Sequence, residues 1–213
     1  MDELYENKKY LTNQGIYCIE GFWNCDDNDE KIDEKSSVLP ILELLKNNTE
    51  CEFICHSAAT KEEFKFHLKK WLKKEIGGKY PILYLACHGE NGLIYLYGNT
   101  KISLDELGSM LEEKCENKII YFGTCSTLKD GVIVREFLKK TKALAVVGYE
   151  GYVDWIPSAA SDLLNLDVFQ FFPLDKKGIN KIQDRIEKQS KSLNKELGFV
   201  FYNSNDRNKT KKN

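Results

Sequence analysis

The sequence predicts an α/β protein, a three-layer αβα sandwich around a mostly parallel six-stranded sheet. Three observations carry this. Pro81–Ala86, Lys118–Phe122 and Ala143–Gly148 are short, nearly continuous apolar runs, the pattern of strands buried on both faces. Stretches with helical spacing of apolar residues lie between such runs, so strands and helices alternate along the chain. Only a hairpin and one crossover helix separate the first two runs, which suits neighbouring parallel strands.

The elements follow in order. Gly15–Trp23 is rich in β-formers and reads as the first strand. The acidic segment Asn24–Lys35 lacks the spacing and the glycine of a calcium loop and reads as a solvated loop. Val38–Leu45 reads as a helix, with Pro40 in a first turn where no donor is lost. Glu52–Cys55 is the second strand. Thr60-x-x-Glu63 is a capping box opening a helix whose buried face carries Phe64, Leu68, Trp71 and Leu72, with Gly77-Gly78 as its end. Pro81–Ala86 is the third strand. Leu93–Tyr97 and Lys101–Ile102 form a small hairpin about Gly98-Asn99, and Ser103-x-x-Glu106 caps a helix with Leu104, Leu107 and Leu111 inward. Lys118–Phe122 is a strand, Val132–Lys140 a helix, Ala143–Gly148 a strand and Pro157–Phe172 a helix. Ile179, Ile182, Ile186, Leu193 and Leu197 mark the stripe of one longer helix, and Phe199–Tyr202 closes the sheet. The expected organisation is a polar segment over residues 1–14, one domain over 15–203 and a disordered tail over 204–213.

Composition narrows the function. The chain has 213 residues, 42% hydrophobic and 30% charged, enough apolar residues for a core, and its net charge is 31 − 33 = −2. That balance lacks the basic excess of a nucleic-acid binder. No apolar run reaches the roughly 18–20 residues of a membrane span. Met1–Gln14 is polar and charged, unlike a secretory signal, so a cytoplasmic location is expected. Seven scattered cysteines then read as free thiols. Cys51, Cys55 and His56 fall on a strand, where residues four apart lie ~13 Å from each other, too far to share a metal. No metal site and no cofactor fingerprint is expected.

Ligand and active sites of open α/β sheets lie beyond the carboxyl ends of the strands. Two buried strands run into reactive side chains there, one at His88 and the next at Cys125. A thiol beside an imidazole supplies a nucleophile and its base, and Gly89 leaves a backbone N–H open to an oxyanion. Residue order excludes several enzyme classes. All three histidines precede Cys125, which is the reverse of papain-like proteases and of nucleophile-elbow enzymes. A Cys-x5-Arg phosphate loop fails because position 131 is Gly, and neither a Walker A motif nor a dinucleotide fingerprint is present. Each residue also has a plainer reading: Cys125 as a buried thiol, His88 as a strand-end histidine.

Histidine first and cysteine second, each after an apolar strand, resembles the caspase-like cysteine peptidases, which include caspases, separases, gingipains and the bacterial CHAT proteins. Leu83-Tyr84-Leu85-Ala86-Cys87-His88-Gly89 and Ile119-Ile120-Tyr121-Phe122-Gly123-Thr124-Cys125 carry the likeness, with Ala145–Gly148 through Val153-Asp154 as a third piece closest to the CHAT-like and separase-like branch. The resemblance implies a caspase-hemoglobinase-like fold, Cys125 as nucleophile, His88 as general base and acid, and oxyanion donors at Gly89 and Cys125. It implies a protein or peptide substrate, an activating partner protein, no nucleic acid and no membrane, and a role in bacterial defence or stress signalling. An acidic residue near the third piece in such relatives favours a basic side chain before the cut. Asp154 is the first candidate here and Glu150 the second, with Tyr152 beside them. Asp154 has the alternative reading of a helix cap. The flanks of Cys125 differ from the caspase signature, and no processing linker is evident, which points to a single-chain enzyme. The alternative function is an inactive caspase-like or flavodoxin-like binding module using the same rim.

Overall fold

The computed structural model describes residues 14–23, 36–98 and 100–205. The elements are β1 (Ile16–Glu20), α1 (Leu39–Asn48), β2 (Phe53–Ser57), α2 (Lys61–Trp71), α3 (Lys74–Lys79), β3 (Ile82–Ala86), β4 (His88–Glu90), β5 (Leu93–Tyr95), β6 (Lys101–Ser103), α4 (Leu104–Leu111), β7 (Ile119–Gly123), α5 (Gly131–Thr141), β8 (Ala145–Tyr149), α6 (Trp155–Val168), α7 (Gly178–Gln189), α8 (Lys191–Glu196) and β9 (Phe199–Asn203). The main sheet has the order β2-β1-β3-β7-β8-β9. Its first five strands are parallel and β9 is antiparallel to β8.

Side chains alternate across this sheet and build a core on each face. Tyr17, Leu83, Leu85, Ile120 and Phe122 pack with α2, α4 and α5 on one side. Ile16, Ile82, Tyr84, Tyr121 and Val147 pack with α1, α6 and α7 on the other. Covering both faces is what requires the strands to be apolar throughout. The three-layer αβα sandwich expected from the sequence is the fold observed.

Several local expectations are corrected. α2 ends at Trp71, and Gly77 and Gly78 lie inside the short α3 instead of terminating α2. Gly77 is needed there for proximity: a Cβ on it would lie 2.5 Å from Trp71 O. The isoleucine stripe is split into α7 and α8 at Ser190, beyond which Asn194 turns inward onto Ser161. α6 begins at Trp155, with Pro157 in its first turn, and stops at Val168 rather than Phe172. The hairpin gains a third strand, β4, which carries too few apolar residues to be visible as a pattern. Of the two capping boxes, Thr60/Glu63 is complete. At Ser103 only the hydroxyl half forms, because Glu106 pairs with Lys61. The acidic segment Asn24–Lys35 and most of the two terminal segments lie outside the described residues.

Candidate functional site

The switch in strand order falls between β1 and β3, and a cavity of about 240 Å³ opens at the carboxyl end of this sheet. Its wall is supplied by the residues that follow β1, β3, β7 and β8: Trp23, His88, Cys125, Asp154 and Trp155. The register explains why His88 and Cys125 meet there. Ala86 of β3 is paired with Gly123 of β7, and each reactive residue stands two positions further on.

Gly89 sets the closeness of the two segments. A Cβ on it would lie 2.1 Å from Thr127 Oγ1, 2.7 Å from Cys125 O and 2.9 Å from Thr124 Cβ, so only glycine lets β4 settle on the cysteine loop. That loop is pinned from both sides. Asn91 and Gly92 donate backbone bonds to Ser126 O and Thr127 O, while Ser126 N–H donates to Gly151 O at 2.8 Å. Ser126 is left-handed, with φ 50°, and turns the chain sharply after the cysteine. Asn91 (φ 43°) and Gly92 (φ 81°) make the two-residue turn of the β4–β5 hairpin. Such a turn makes Glu90–Leu93 a hydrogen-bonded pair. Alternation along the ladder then directs the Gly89 N–H away from β5.

Each reactive side chain is held by its own carbonyl. His88 Nε2 bonds to Trp23 O, and a carbonyl only accepts, so Nε2 is the donor in this bond. The Trp23 ring meets His88 edge-on at 5.4 Å and Trp155 at 4.6 Å. Trp23 in turn donates to the buried Glu20, which also accepts from Ser37 Oγ and Val38 N. Cys125 is half-buried, and its Sγ donates to Val153 O at 3.6 Å. The thiol and the imidazole are not hydrogen-bonded to each other.

Of the specificity candidates, Asp154 lines the cavity. It stands at the N-cap position of α6 but makes no side-chain capping bond. Glu150 lies away from the cavity wall, its N–H bonded to Gly198 O. Tyr152 is 74% exposed and donates to Glu90 at 3.1 Å, also outside the wall.

Sequence reasoning missed the cavity floor. Asp162 of α6 is buried there and accepts three phenolic hydrogen bonds. Tyr121 and Tyr149 donate to Oδ1 at 2.6 and 2.5 Å, and Tyr84 to Oδ2 at 2.6 Å. Burial lifts the carboxyl from its ordinary 3.8 to about 6, although the three donors pull the other way. Burial and the adjacent carboxylate hold all three phenols well above their usual range, so they stay protonated donors. The available signal is a tyrosine in each of the three buried strands or at its end, together with the polar positions Ser161, Asp162 and Asn165 inside α6.

The profile of a family of unknown function, DUF6642, matches residues 13–203. The chain belongs to that family. No curated protein matches this DUF6642 chain in sequence. Among solved structures it is similar to the Drosophila initiator caspase Dronc, with a TM-score of 0.53 at 8% identity, over 90% of this chain and 80% of that one. At that identity the likeness is one of fold, and the DUF6642 fold is caspase-like. Among the described residues no helix is long and apolar enough to cross a membrane.

Proposed function

We propose that the chain is a cysteine endopeptidase of the caspase-like type, nearest the CHAT-like and separase-like branch, acting on a protein or peptide substrate. The observation that carries the reading is the shared cavity: paired positions on adjacent parallel strands deliver His88 and Cys125 to one wall. His88 Nδ1 takes the thiol proton as Cys125 Sγ attacks the scissile carbonyl carbon. The N–H groups of Gly89 and Cys125 receive the oxyanion, and His88 returns the proton to the leaving amine. Water then hydrolyses the thioester, freeing the thiol. Among the described residues Cys125 N–H has no acceptor, in keeping with that role. Asp154 is the rim carboxylate placed to attract a basic substrate side chain, with Glu150 and Tyr152 on the surface beyond it.

The separate carbonyl partners of His88 and Cys125 describe a resting arrangement that an activating partner protein would rearrange. The same feature favours a second reading, a binding module whose cysteine is inert. Alkylation of Cys125 by iodoacetamide across pH, read by mass spectrometry, separates the two. Once cell extract supplies the activating partner, the peptidase reading expects a labelling pKa well below the ~8.5 of a free thiol, rising in His88→Ala. It also expects peptide cleavage to be lost in Cys125→Ala with the fold intact. A labelling curve identical in wild type and His88→Ala, with no cleavage in the presence of cell extract, would leave the binding module.

A further inference from the structure

The cavity floor holds a carboxylate with no cation. Among the described residues no Lys, Arg or His side chain forms an ion pair with Asp162. An ionised carboxylate taken out of water needs a compensating charge or a full set of donors. An ionised carboxylate offers about four acceptor positions. Tyr121 and Tyr149 fill Oδ1, and Tyr84 takes one position on Oδ2, leaving one open. Tyr84, Ser158 and Asp162 all face the cavity whose wall carries Cys125 and His88.

The geometry of the Asp162 carboxylate selects among cations. A guanidinium binds best as a fork across both carboxylate oxygens, and Oδ1 is already occupied. A primary ammonium is a point charge with three rotatable donors. It needs only Oδ2, and Tyr84 and Ser158, which line the same cavity, carry hydroxyl oxygens that can also accept. Trp23, Ile41 and Ala159 offer apolar wall to a methylene stem that ends in such a charge.

Resting on the peptidase reading, we propose that Asp162 is the specificity-determining residue of this site and receives the ammonium of a substrate lysine, the residue on the acyl side of the bond that Cys125 attacks. Asp154 then guides the cation at the rim, and Asp162 binds it.

The test uses the full chain and fluorogenic peptides that differ only before the cut, with Lys, Arg, norleucine or Asp there. The expected result is Lys above norleucine in kcat/KM by about a hundredfold or more, with Arg below Lys. Asp162→Asn is expected to bring the Lys/norleucine ratio to about one. Tyr84→Phe, which keeps the carboxylate, is expected to cut that ratio about tenfold and serves if Asp162→Asn does not fold. Norleucine or Arg cleaved as well as Lys overturns the assignment and leaves the peptidase. If no peptide is cut even when cell extract is added, with Cys125→Ala in the same extract as the blank, the peptidase reading falls, and NMR titration of Cys125→Ala with Nα-acetyl-lysine amide and its norleucine counterpart decides the pocket. Lysine-selective binding, weakened about tenfold by adding Asp162→Asn or Tyr84→Phe, upholds the ammonium site. Equal or absent binding overturns it.

Discussion

A methyl group on Gly89 probes the contact that brings the histidine strand onto the cysteine loop. In Gly89→Ala the added Cβ meets Thr127 Oγ1 at 2.1 Å, Cys125 O at 2.7 Å and Thr124 Cβ at 2.9 Å. None of these atoms swings away freely. Thr127 Oγ1 donates to Leu93 O at 3.0 Å and accepts from Thr124 Oγ1 at 2.7 Å, and Cys125 O is main chain. Relief therefore requires β4 to lift from residues 124–127. Forcing an extra carbon into a filled interior costs about 1–3 kcal/mol. For a chain of this size that lowers Tm by about 2–12 °C, leaving a protein of ordinary stability folded. Calorimetry measures the shift, and iodoacetamide kinetics at pH 7 measure the site, where the labelling rate is expected to fall toward that of His88→Ala. Adding Thr127→Ala removes the nearest obstacle but not the carbonyl, so the double-mutant cycle should show partial compensation. A Gly89→Ala protein that melts within about 1 °C of wild type would refute the packing argument.

Asp162→Asn is expected to change how stability depends on pH. The native carboxyl binds its proton up to about pH 6 and the unfolded one only to 3.8, so wild-type stability falls as pH rises from about 4 to 6 and is level above. The span is worth about 3 kcal/mol; urea midpoints across pH 4–7.5 should show it in wild type and lose it in the variant, and an unchanged slope would remove Asp162 as its source. Lys142, just past α5, is left-handed with φ 57° and, among the described residues, its side chain makes an exposed ion pair with Glu113. Lys142→Gly should raise stability by about 1 kcal/mol in urea unfolding, and a drop would mean the ion pair outweighs backbone strain.

What the sequence disclosed depended on whether the signal was local. Continuous apolar runs identified β3, β7 and β8, because strands covered on both faces leave no polar position. The same runs point to the residues that follow them, His88 and Cys125. Helix ends were less legible. Gly77 reads as a terminator by composition, yet it serves a close approach to Trp71 O that only the folded chain reveals. The break at Ser190 is set by Asn194 reaching Ser161 and Asn165 across the fold, 33 and 29 residues away. Asp162 was hidden for the same reason. Its partners Tyr84, Tyr121 and Tyr149 lie 78, 41 and 13 residues off and each reads alone as a core aromatic.

The floor and the rim of the cavity are nonetheless written in one spacing. Tyr84 is followed four residues later by His88, Tyr121 by Cys125, and Tyr149 by Val153, whose carbonyl holds the thiol. Each of β3, β7 and β8 thus sends a phenol to Asp162 and then a group to the reacting end. Gly123 belongs to this arrangement, since a Cβ there would lie 2.6 Å from the Tyr84 ring and 2.9 Å from its hydroxyl, displacing the donor to Oδ2. Strands position side chains more precisely than loops do, so a pocket carried on them keeps a fixed distance to the residues that follow the same strands. On the proposed reading, a substrate side chain at Asp162 would be held in register with Cys125 by the sheet itself. On the same reading, it is at the rim, where carbonyls of Trp23 and Val153 bind the imidazole and the thiol separately, that movement would bring the two together.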